Sequence, residues 1–193
     1  MNNISIKRIE WIDIYKALAI ILMVIGHSSD RFNGYIYQFH MAAFFFISGF
    51  TASLQKKSFF KILVSRFLTL IVPLLIFIVL GASAIKFIPE QKRMILFDIP
   101  YLGIAQTIFV FFKTGDIYIQ FLGSTWFLPV LFGIYPMAKL MIDIASNKTF
   151  YYLLSVIFYA IGYYLCKNKI CPKLSFIPID LVHVCQFLFA TGF

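Results

Sequence analysis

Lys16 and His27 put an ammonium and an imidazole on one helical face of a hydrophobic segment. With ten residues between them they fall about three turns apart, roughly 20° from eclipsed and roughly 16 Å along the axis. Asp13 joins the same stripe one turn below Lys16. A cation, a carboxylate and a base aligned along a helix in lipid are costly, about 2.5 to 3.5 kcal/mol for a charge at mid-membrane. Such an alignment makes an active site the default reading. His40 adds a second imidazole near the start of the next apolar segment, and the short stretch Ser28 to Gly34 makes the two helices antiparallel neighbours. The two imidazoles are then expected at similar depth, with Arg66 near the level of Lys16.

Each residue also has a plainer reading. Lys16 and Arg66 are able to snorkel to the interface, Lys16 with Asp13 as its i,i+3 partner. A histidine near the end of a membrane helix is commonly a hydrogen-bonded interfacial residue. The coincidence of three groups on one stripe favours the chemical reading. Ser48 and Gly49 are read as small residues for close helix packing. Cys166, Cys171 and Cys185 match no metal spacing and are read as small apolar residues. No metal is expected: there is no H-E-x-x-H pair, and a phosphate loop and a G-x-S-x-G elbow are missing as well.

The elements that must position these groups are membrane helices. With 61% hydrophobic and 13% charged residues, the chain has too little polar surface to coat a soluble globule. The formal net charge of +9 comes from short basic clusters at the ends of apolar runs, which argues topology and against nucleic acid. An all-α polytopic bundle of roughly six or seven spans is expected over residues 1–193 as a single membrane-embedded domain. The candidate spans are Ile12 to His27, Tyr35 to Leu54, Ile62 to Ile85, Ile99 to Phe112, Trp126 to Ile144, Phe150 to Cys166 and Ile179 to Phe193. The fourth is short for a crossing. Lys7 and Arg8 before the first span, and Lys56, Lys57 and Lys61 after the second, place the amino terminus in the cytoplasm. Counting the fourth as a crossing also puts Lys167, Lys169 and Lys173 inside, so seven crossings are favoured. The apolar stretch Leu181 to Phe193 ends without a hydrophilic tail, so the chain is expected to be cut short at its carboxyl end.

The run Trp11-Ile12-Asp13-Ile14-Tyr15-Lys16, then Gly26-His27, then Phe39-His40-Met41 with Phe44-Phe45-Phe46-Ile47-Ser48-Gly49-Phe50, resembles the membrane acyltransferase-3 family, in particular its fucose 4-O-acetylase-like branch. The basic residue, ten positions and histidine of that family's signature correspond to Lys16 and His27. Arg66 followed by Pro73, and Trp126-Phe127-Leu128-Pro129, extend the likeness. Thr69 departs from it, standing where family members often carry a second basic residue.

The resemblance implies an O-acyltransferase that moves acetyl from acetyl-CoA to a carbohydrate hydroxyl of a cell-envelope glycan or lipid-linked sugar. The setting implied is a bacterial cytoplasmic membrane. Lys16 and Arg66 would hold the CoA phosphates and His27 would act as general base. Asp13 would orient Lys16 or Arg66, and His40 would donate to the oxyanion or hold the acceptor. Two rival readings are a transporter or flippase for lipid-linked sugars, since intramembrane Asp, Lys and His also serve as proton relays, and an inactive truncated fragment.

Overall fold

The computed structural model describes residues 9–28, 30–55, 57–90, 92, 103–114, 125–170, 173–174 and 176–192. Seven helices and one two-stranded ribbon form among them, divided into two compact units: Met1–Ala52 with Leu188–Phe193, and Ser53–Phe187.

The first unit is built on a helical hairpin. Helix α1 runs over Glu10–Ser28 and α2 over Asp30–Phe50, with residue 29 between them. Glu10 and Asp13 sit in the first turn of α1, where a carboxylate complements the positive end of the helix dipole. Trp11 at the start of α1 meets Phe50 at the end of α2, ring centroids 5.3 Å apart, so the two helices are antiparallel. Ile12 and Ala19 are buried, whereas Trp11, Ile14, Leu18, Ile21 and Ile25 form an exposed apolar stripe at helical spacing. That stripe suits lipid and not water. The second helix starts five residues earlier than the sequence reading placed it, because the polar stretch from Asp30 to Gly34 conceals its first turn from a hydropathy argument.

The last turns of the final helix pack on α2 within this unit. A Cβ on Gly49 would collide with the backbone carbonyl of Phe189, and one on Gly192 with that of Phe46. The two glycines therefore permit a backbone approach that any larger residue would block, the close packing expected of small residues here.

In the second unit, α3 runs continuously over Phe59–Lys86. Ser58 caps it by accepting from the Lys61 N–H. Its middle is a π turn, Phe67–Ile71, in which the Val72 N–H reaches back to the Phe67 carbonyl. Pro73 supplies the cause: it has no N–H to give Thr69, and its ring crowds that carbonyl. Beyond the turn, Leu74, Ile78 and Ala82 pack with Phe111 of α4, Ile104–Thr114, as the core of this unit. Phe176 lies against Phe111, Phe112 and Phe132, with centroids 5.2 to 5.9 Å apart.

Helix α5, Phe127–Ile144, is buried on most of its surface, as a central helix must be. Helix α6, Lys148–Lys167, is capped by Asn147, which accepts from the Phe150 N–H at 2.8 Å. Its end bends through Lys169 at φ 57°, with the Ile170 N–H returning to the Leu165 carbonyl. A ribbon of β1, Lys173–Leu174, and β2, Ile177–Pro178, leads into α7, Ile179–Gly192. The start of α7 is clamped: a Cβ on Gly133 would lie 2.7 Å from Val182, and one on Gly162 2.8 Å from His183.

Three helices among the described residues are long and apolar enough to cross a membrane: α3, α5 and α6. Shorter apolar stretches occupy Phe39–Phe50 of α2, all of α4 and all of α7. The expected six or seven spans are thus met by three at full length. With 11 residues, α4 reaches about 16 Å, half of the roughly 30 Å core. In α2 the polar first turns shorten the apolar run. Ile99 of the expected fourth span lies outside the described residues, as do Lys7, Arg8, Lys56 and Cys171.

Candidate active site

The hairpin of the first unit carries Asp13, Lys16, His27 and His40. Asp13 and Lys16 are half-buried one turn apart on α1. The backbone of His27 closes α1, while its side chain lies outside the described residues. His40 is 5% exposed, and its Nδ1–H donates to the Ile36 carbonyl at 2.8 Å. That bond makes Nδ1 a donor to its own helix and fixes the ring's orientation. With Trp11 opposite Phe50, the antiparallel register sets His40 level with about Ile21 of α1. Its backbone therefore stands about 9 Å along the axis from that of His27, and about 7.5 Å from that of Lys16. Along the hairpin backbone the order is thus Lys16, His40, His27.

Ser48 Oγ donates to the Phe44 carbonyl at 2.8 Å and Thr51 Oγ1 to the Ile47 carbonyl at 2.9 Å, so both hydroxyls bind their own helix.

Arg66 belongs to the second unit, at the last α-helical position before the π turn. Its guanidinium carbon lies 3.8 Å from the centroid of the Tyr135 ring. A guanidinium over an aromatic ring is a cation–π contact, which holds the arginine head in place. Phe67 packs edge-on against Phe132 one turn along, centroids 6.1 Å apart, which holds α3 and α5 in register at this contact. Thr69 Oγ1 donates to the Ser65 carbonyl at 2.9 Å. No second cation stands there.

Sequence reasoning missed several groups. Tyr135 gave no signal, since an aromatic in an apolar helix reads as core. Lys139 did: a lysine inside an apolar run is informative, and here it is buried and paired with Asp143 at i,i+4. Along the contact of α6 and α7, Cys166 Sγ–H donates to Asp180 Oδ2 at 3.6 Å and Gln186 Nε2 donates to the Tyr151 hydroxyl at 3.2 Å. Asp180 Oδ1 and Gln186 Oε1 are buried without a hydrogen-bond partner. His183 donates from Nδ1 to the Ile179 carbonyl at 2.7 Å and stacks on Phe158. Among the described residues, no three His, Cys, Asp or Glu side chains are grouped to hold a metal ion.

No curated protein and no solved structure matches the chain. A family model does, over residues 9–193: the acyltransferase domain of the acyltransferase-3 type. The match takes in both units, the Lys16 to His27 helix and the Arg66 to Tyr135 contact. With nearly its whole length matched, and with apolar helices of membrane-crossing length, the chain belongs to the acyltransferase-3 family of membrane proteins.

Proposed function

We propose that this membrane acyltransferase transfers an acetyl group from acetyl-CoA to a carbohydrate hydroxyl of a cell-envelope glycan or lipid-linked sugar. It does so in a bacterial cytoplasmic membrane, with its amino terminus in the cytoplasm. The observation that carries this reading is the family match across residues 9–193, which contains the Lys16 and His27 stripe of α1.

Lys16 and Arg66 are the proposed holders of the anionic CoA phosphates, Lys16 as a point charge and Arg66 as a planar donor fork. Asp13, one turn from Lys16, positions that ammonium. Neutral His27 takes the proton of the acceptor hydroxyl as its oxygen attacks the thioester carbonyl. The C–O bond forms, the C–S bond breaks, and the proton passes from the imidazolium to the departing thiolate, so that ester and free thiol leave. His40, buried on the same hairpin with Nδ1–H donating to the Ile36 carbonyl, is proposed to hold the acceptor or to donate to the oxyanion. The spacing of Lys16 and His27 along α1 fits a long donor that enters past Lys16 and presents its thioester deeper.

The test uses the purified full chain with acetyl-CoA carrying labelled acetyl and, separately, envelope glycans from cells with and without the protein. The expected result is acceptor-dependent release of free thiol, with label in an alkali-labile sugar ester. Thiol release that no carbohydrate stimulates, together with unchanged glycan acetylation, overturns the acceptor class.

A further inference from the structure

We infer that the second unit binds one acyl chain of an anionic phospholipid in a groove whose lining includes none of the proposed catalytic groups. The groove encloses about 570 Å³ between α3, α5, α6 and the start of α7. Its walls are apolar, among them Leu63, Phe132, Met137, Leu140 and Leu154, with His183 as its titratable member. Pro136 and Gly133 also line it, and at Gly133 the side chains of Val182 and Ile177 close the floor, within 2.7 and 2.8 Å of where a Cβ would stand.

Length and charge identify the occupant. From Ile144 to Gly133 the groove follows α5 for about 16 Å, close to half of the roughly 30 Å hydrocarbon core, the depth one acyl chain spans in its leaflet. Ile144 and Phe59 mark one end, and there the chain leaves the apolar helices: Lys57, Lys61 and Lys148 are exposed within a few residues of them. Asp143 at the same end is neutralised by Lys139. An apolar slot one leaflet deep, opening beside three unpaired-sign positive charges, complements an alkyl tail under a phosphate headgroup. Met137 and Met141 give the walls the adaptability that a flexible chain requires. This inference does not rest on the acetyl-transfer reading.

The experiment is native mass spectrometry of the full chain released from detergent micelles doped with equal amounts of phosphatidylglycerol and phosphatidylcholine. One phosphatidylglycerol is expected to stay bound, favoured over phosphatidylcholine by about fivefold or more. Met137→Trp, which fills the slot, is expected to lose it, while Leu153→Trp on the exposed face of α6 keeps it. Lys57→Gln with Lys148→Gln is expected to erase the headgroup preference and leave some lipid bound. Because Met137→Trp risks misfolding, Met137→Ala serves as a second variant that widens the slot and should retain lipid. Equal retention of both lipids by the unaltered chain, unchanged retention in Met137→Trp, or no retained lipid at all overturns the proposal.

Discussion

The Arg66 guanidinium lies over the Tyr135 ring, so in the proposed donor site the tyrosine is a positioning residue for that cation. Truncating Tyr135→Leu removes a cation–π contact of about 0.5 to 2 kcal/mol and lets Arg66 wander. KM for acetyl-CoA should rise several-fold with kcat nearly unchanged, whereas Tyr135→Phe, which keeps the ring, should restore KM to within about twofold. A fall in kcat with KM unmoved would assign Tyr135 to the chemical step instead. Lys16→Ala should weaken donor binding by about 1.5 to 3 kcal/mol, the worth of a hydrogen bond to a charged group, while insertion and thermal stability stay as they were. Titration with CoA checks this, and unchanged affinity removes Lys16 from the donor site. Lys16, His27 and Arg66 stood out in the sequence because charge in an apolar run is conspicuous by itself. Tyr135 and His183 did not, since their roles depend on which ring or carbonyl lies across from them, and a single sequence carries no cross-element pairing.

At the scale of elements, hydropathy marked the helices well where apolar runs are long. Trp126 to Ile144 and Ile179 to Phe193 nearly coincide with α5 and α7, and Ile62 to Ile85 lies wholly inside α3. The start of α2 was hidden by polar residues that the hairpin turn tolerates, and the π turn of α3 is invisible to a hydropathy pattern that runs straight through it. Only Pro73 marked the place. Close helix crossings were half legible: Gly49 announced a small-residue contact, but its partner at Phe189 lies far along the chain. Gly49→Leu forces a side chain into a backbone carbonyl, and overpacking of this kind costs about 1 to 3 kcal/mol. The expected outcome is a lowered melting midpoint in detergent; an unaltered midpoint would show that the crossing yields without cost.

Across the whole molecule, apolar side chains face outward on helix after helix. Leu153, Val156, Ile157, Ile161 and Tyr164 expose one flank of α6, as Trp11, Ile14, Leu18 and Ile21 do on α1. In water such stripes would drive aggregation; in a bilayer they are the solvent-matched surface. Replacing Val156→Lys near the middle of α6 should therefore cost about 2.5 to 3.5 kcal/mol of insertion free energy, read as a reduced membrane-inserted fraction in a translocon assay. Insertion as efficient as that of the unaltered chain would mean this face meets protein or water. What the membrane setting is proposed to provide is a dry path along α1 from a cation to a base, and the central claim is that His27 is that base. The most direct measurement compares acceptor-dependent thiol release from acetyl-CoA by the unaltered protein and His27→Ala, both shown to be membrane-inserted. A loss of about 10² to 10⁴ in rate with insertion preserved is expected. Full activity in His27→Ala would contradict it.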